Sequence, residues 1–197
     1  MVPIRVDLLS QLSHVPVETD RLRATMPDPN RCGLEHHEYL SIPSDRVDPS
    51  LFRLPQHRCL AEYWCRERDR RGSLPPSAEF DPAQVVPALG YIMLLEPNRD
   101  ATDFLYRLYG SQVATHHGRD MTGRWLSSFD PPGPTVFTAQ YRLVVREGVA
   151  VYAEHDAVKE VSVITRWCRL ALPMAGSDGG VERLVVCNVP IRRESVG

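Results

Sequence analysis

Histidines, cysteines and carboxylates are the side chains of this 197-residue chain with chemistry to offer, and their spacing decides what they do. Cys32 with His36 and His37, and His57 with Cys59 and Cys65, have the residue types of a zinc site. Structural zinc sites use paired short spacings such as C-x2-C with a second pair, and neither group has them. Exposed polar residues and ordinary buried thiols are the simpler account. His116 and His117 are adjacent, so on a helix they point about 100° apart and do not easily share one ion. One of them could be an axial haem ligand, but no C-x-x-C-H attachment run exists, and a polar helix-end histidine is the commoner explanation. Glu154, His155 and Asp156 resemble an acid/base cluster. On a strand, however, His155 faces away from its two neighbours, which predicts a solvated edge rather than a catalytic group. G-x-S-x-G, P-loop and G-x-G-x-x-G sequences are absent. The sequence assembles neither a catalytic set nor a metal site, and it reads as a non-enzyme.

The bulk properties narrow the class further. Hydrophobic residues make up 43% and charged residues 24%, the balance of a globular protein with a core of its own. A formal net charge of -2 gives no electrostatic reason to expect nucleic acid or an anionic membrane. There is no apolar run of about 18 residues to cross a bilayer, and the amino terminus carries Asp7 where a secretory leader would be apolar. The five cysteines are odd in number and scattered, which fits a reducing, cytoplasmic location. Cys168 and Cys187 could meet across neighbouring strands as ordinary packing.

The elements that would position these groups begin late. Residues 1–49 are interrupted by prolines at 3, 16, 27, 29 and 43 and read as a loosely packed extension. Residues 50–87 carry a helix from Pro55 to Gly72, with Leu60, Tyr63 and Trp64 on one sticky face and a cationic last turn. Asp81 ahead of Pro82 predicts a capped short helix through Val86. Residues 88–191 form the sheet domain. An apolar run to Leu95 and an alternating run from Phe104 to Tyr109 give two strands, and Gly110 stops the second. Ser111 is placed to cap a short helix through His116, and Gly118-Arg119-Asp120-Met121-Thr122-Gly123 follows as a loop. A longer helix spans Thr135 to Glu147. Three more strands follow: from Val149, from Val161 to Leu172 closed by Pro173, and from Val181 to Val189, the last two joined by a hairpin at Ser177-Asp178-Gly179-Gly180. Residues 192–197 are a tail.

That order, with Tyr63-Trp64, Leu74-Pro75, Asp81-Pro82, Phe104–Gly110, Gly118–Gly123, Leu170–Pro173 and Asp178-Gly179 in sequence, resembles the single-domain bacterial PAS_5-like family. The resemblance implies an α+β fold: a five-stranded antiparallel sheet with short helices on one face, an N-terminal helix, and a cavity between sheet and helices. It implies that Tyr106, Trp125, Tyr141 and Trp167, from four elements, border that cavity, with His116 beside them. The alternative is that these aromatics fill the core outright. Arg107 is expected to reach Asp120 and so anchor the glycine loop to the second strand. The segment preceding residue 50 is not part of the family pattern.

Two functions fit. The first is a sensory module that takes a small apolar or amphipathic ligand between sheet and helices. The second is an adaptor with a filled core, homodimerising or docking a regulatory partner through the outer sheet face and Leu60, Tyr63 and Trp64. Apolar residues on both faces of the strands favour contacts on both sides of the sheet. No cofactor is required by either reading. Haem is disfavoured as above, and flavin because the Asn/Cys/Arg-rich helix motif of light sensors is missing.

Overall fold

The computed structural model describes residues 37–129, 135–156 and 164–192. Cys32, His36, the Pro131–Pro134 stop and residues 193–197 lie outside them. Six strands, β1 (His37–Ile42), β2 (Ile92–Pro97), β3 (Phe104–Tyr109), β4 (Ala150–Asp156), β5 (Ile164–Ala175) and β6 (Val181–Arg192), make one sheet. Their spatial order is β1-β4-β5-β6-β2-β3, and every neighbouring pair is antiparallel. Three α-helices, α1 (Pro55–Arg71), α2 (Ser111–His117) and α3 (Thr135–Glu147), cover it.

The α+β architecture matches the expectation, with one strand more than the five foreseen. β1 comes from the segment read as a loose extension, and it pairs with β4 along its length, from His37 opposite His155 to Ile42 opposite Ala150. Its sequence does alternate: Leu40 and Ile42 are buried on one face while Tyr39 and Ser41 take the other. Pro43 ends it.

Strand alternation divides the molecule into two cores. On one face lie Ile92, Tyr152, Cys168, Leu170, Leu172, Val185 and Cys187, packed with Leu60, Ala61 and Trp64 of α1. On the other lie Met93, Leu95, Tyr106, Val151, Ala171 and Val186, packed with Tyr141 and Val144 of α3. The helices therefore sandwich the sheet. Apolar residues on both sides of the strands are explained within the chain, without a second copy.

Local chemistry accounts for most helix boundaries. α1 starts with Pro55 at its first turn and stops at Gly72, whose φ of 68° admits the left-handed stop. Asp81 accepts from the Ala83 backbone N–H at 3.0 Å, as its place before Pro82 predicts. The segment from Pro82 to Tyr91 is a 3-10 helix kinked at Val85, and β2 begins only at Ile92. Ser111 does not cap α2; it is the first helical residue, and Gly110 holds the cap position. A Cβ at Gly110 would stand 2.4 Å from the Gly90 carbonyl oxygen, so only glycine fits between two crossing backbones.

Pro173 does not close β5, which continues to Ala175. β4 ends its pairing at Val151 opposite Ala171, so Pro173 lies beyond that neighbour and its missing N–H breaks no rung there. On the other side Pro173 stays opposite Leu184 of β6. β6 likewise runs past Val189, with Pro190 opposite Trp167.

Candidate functional site

The face under α2 and α3 collects the side chains that sequence alone marked for ligand contact, with additions and one loss. Tyr106 from β3 and Tyr141 from α3 are buried in this core, and Trp167 from β5 packs against it. His116 of α2 meets the Trp167 ring edge-on, with centroids 6.2 Å apart. His117 turns the other way, to Phe129 at 4.8 Å and Tyr109 at 6.1 Å, as adjacency on a helix requires. Trp125 is not brought in. It is 40% exposed, and its segment lies along β3 as a backbone bridge to Leu105. The expected four aromatics are thus three, joined by Tyr109, Phe129 and Phe137.

At the centre of this face stands Arg169, which sequence reading passed over. It lies on β5 between Trp167 and Ala171, opposite Asn188 of β6 and Ala153 of β4. Only 5% of it is exposed. Its guanidinium carbon sits 4.1 Å from the Phe137 ring centroid and 5.5 Å from that of Tyr141, so the aromatic rings of α3 cover the cation. Arg169 Nη2 donates to His155 Nε2 at 3.3 Å; an arginine has no acceptor, so the imidazole presents its lone pair. Among the described residues Nε and Nη1 have no hydrogen-bond partner, and neither has Oδ1 of the buried Asn188 across the ladder. The signal was visible in Trp167-Cys168-Arg169-Leu170-Ala171-Leu172: one charge inside an otherwise apolar run of six residues.

The same charge reaches three phenols. Burial holds the hydroxyls of Tyr106, Tyr109 and Tyr141 above the ordinary tyrosine range, and the Arg169 cation pulls each back part of the way. They remain neutral donors at physiological pH. The result is an apolar, aromatic wall around the Arg169 cation and several hydrogen-bonding groups.

The glycine loop is fixed to β3, though not by the predicted pair. Arg107 forks onto Glu96 of β2, at 2.7 and 3.1 Å, and Asp120 instead accepts from the Thr122 N–H at 2.8 Å. The reason is a bulge. Leu94 faces Leu108 and Leu95 faces Tyr106, so Arg107 is the extra residue, turned across the hairpin to Glu96. The loop attaches through its backbone and Thr122. Gly123 N–H donates to the Tyr106 carbonyl at 2.7 Å, Tyr106 N–H to the Arg124 carbonyl at 3.0 Å, and Tyr109 N–H to Thr122 Oγ1 at 3.1 Å. These bonds cover the outer edge of β3. Gly118 and Gly123 adopt φ of 76° and 77°, which suits the two turns of the loop.

Leu60, Tyr63 and Trp64, expected to meet a partner, are buried in the chain's own core, Trp64 at 0% exposure. Leu60 and Trp64 pack with the residues of one sheet face and Tyr63 against Phe80 of the connector, so these three side chains are taken up within the chain.

Glu154 and His155 do point to opposite faces, but neither is solvated. Glu154 is buried, accepting from the Tyr152 hydroxyl at 3.0 Å and pairing with Arg166 at 3.2 Å, while His155 lies against Phe137 at 4.7 Å. β1 is the cause, since it covers the edge of β4 that the shorter sheet would have left open. Glu38 of β1 stands opposite Glu154, and burial, opposed by Arg166 and reinforced by Glu154, pushes its carboxyl up to about 7.

The remaining candidates are quiet. His57, in the first turn of α1, is buried, donates Nε2–H to the Cys187 carbonyl at 3.2 Å, and is pulled by burial down to about 4. Burial pushes the Cys65 and Cys168 thiols up to about 11 and about 12, and Cys187 well above its usual value, so none is a ready nucleophile. Among the described residues no three His, Cys, Asp or Glu side chains gather to hold a metal ion, and no helix is long and apolar enough to cross a membrane.

Comparison with known proteins adds one positive finding: a family model, PAS_5, described as a PAS domain, matches residues 53–187. No curated protein and no solved structure gives a match. The matched span runs from the turn before α1 to the centre of β6 and includes α1, α2, α3 and four of the strands complete. By that match and by its antiparallel sheet under short helices, the chain belongs to the PAS_5 family of PAS domains.

Proposed function

We propose that the protein is a non-catalytic sensory module of the cytoplasm that binds a small apolar or amphipathic molecule between its sheet and the α2/α3 cover. Binding biases the surface of that cover, and the signal leaves by contact with a regulatory partner. The family supports a sensory or regulatory role. The observation that carries the ligand is the convergence of Tyr106, Tyr141, Phe137 and Trp167, from β3, α3 and β5, around polar groups in one interior face. A face built only for stability gains nothing from a lone cation there. Aromatic walls with a few placed polar groups are the usual lining of small-molecule sites.

The adaptor reading is the weaker of the two because Leu60, Tyr63 and Trp64 are buried within the chain's own core. Homodimerisation through another surface is compatible with sensing. Native mass spectrometry of protein purified from cells tests the proposal. An added small mass released by denaturation is the expected result; a bare chain that binds nothing from a cell-extract metabolite pool overturns it.

A further inference from the structure

The unmet groups around Arg169 specify more than a generic ligand. A guanidinium has two flat faces and two hydrogen-bonding edges, and aromatic rings satisfy only the faces. The rings of Phe137 and Tyr141 lie within 4.1 and 5.5 Å of the guanidinium carbon. Of the edges, His155 takes one hydrogen of Nη2, while Nε and Nη1 find no acceptor among the described residues. Whichever Nη2 hydrogen His155 uses, one edge keeps two parallel N–H groups, the geometry that receives both oxygens of a carboxylate. Among the described residues no Asp or Glu pairs with this cation, although it is nine-tenths buried.

We propose, resting on the ligand-binding reading above, that the ligand is a small organic monocarboxylate whose carboxylate lies against the edge of Arg169. A single cation in an aromatic setting calls for one compensating negative charge. Phosphate, with its greater charge, would need further cations or a row of backbone N–H groups. Asn188, opposite Arg169 in register with its own Oδ1 unmatched, accepts a hydroxyl or N–H on the same molecule. The aromatic surround takes the apolar remainder.

The test is calorimetric titration of the full chain with benzoate, phenylacetate and hexanoate, each beside its primary amide, and with inorganic phosphate. At least one acid is expected to bind about 10- to 100-fold tighter than its amide, the factor a charge-assisted hydrogen bond supplies. Arg169→Gln should erase that preference, and Arg169→Lys should keep part of it. Equal binding of acid and amide would overturn the carboxylate inference and leave the ligand reading standing. Binding of phosphate but of no acid would overturn it too. Failure of every acid and amide would overturn it, while a bound neutral mass in the purified protein would still uphold the ligand reading. Should Arg169→Gln not fold, the acid and amide comparison on the unaltered protein decides.

Discussion

The indole N–H of Trp64 donates to the carbonyl oxygen of Pro173 at 2.8 Å, joining the middle of α1 to the point where β5 runs beyond β4. The bond is buried, and it makes Trp64 specific where any large apolar residue would fill the volume. Trp64→Phe should destabilise the protein by about 1–3 kcal/mol, because the Pro173 carbonyl loses its donor. Trp64→Ala should cost about 3–5 kcal/mol through the added cavity. Urea unfolding followed by far-UV circular dichroism measures both. A Phe variant as stable as the parent would show that the hydrogen bond contributes nothing.

Acid should weaken the fold through His57. Its imidazole titrates near 6.5 when unfolded and at about 4 when buried, so the unfolded chain binds more protons between those values. The stability that goes with a neutral His57 is complete above pH 6.5 and is lost as pH falls toward 4. His57→Gln should flatten this slope, whatever its cost at neutral pH. Unfolding midpoints across the window provide the measurement, and identical slopes for parent and variant would refute the assignment.

Glu38 acts with the opposite sign. Its folded value of about 7 lies above its ordinary 4.5, so the folded state holds the proton more tightly. Stability from this group is present below pH 4.5 and declines as pH rises through 7. Glu38→Gln should match the parent at the acid end and gain on it progressively toward neutrality. The same set of unfolding curves reads it out. A variant that loses ground as pH rises would contradict the buried placement of the β1 carboxyl.

The bulge at Arg107 gives a test by coupling. Arg107→Ala and Glu96→Ala should be non-additive, while Arg107→Ala and Asp120→Ala should add. Arg107 is half exposed, so the coupling should be small and should shrink in high salt. Arg183 also approaches Glu96, at 3.6 Å, and will retain part of the interaction when Arg107 is removed. A double-mutant cycle that couples Arg107 to Asp120 instead would restore the loop anchor predicted from sequence.

Alternation and turn chemistry are local, and for that reason the sequence by itself determined the β2/β3 hairpin, the extent of α1 and its stop at Gly72, the Asp81 cap, α3, and the tight turn between β5 and β6. Tyr106, Tyr141 and Trp167 were placed toward the interior by the family resemblance, and the structure packs all three in or against one core. Partner choice across the sheet is not local, and there the tertiary structure decided. β1 hides among prolines, and its pairing with β4 covers the edge beside Glu154 and His155. The bulge that sends Arg107 to Glu96 depends on a register no single strand encodes. Arg169 reads as one more arginine until β4, β6 and α3 close around it and leave two of its nitrogens with no acceptor among the described residues. Desolvation gives that residue its meaning, and desolvation is a property of the neighbours that folding brings, not of the chain order.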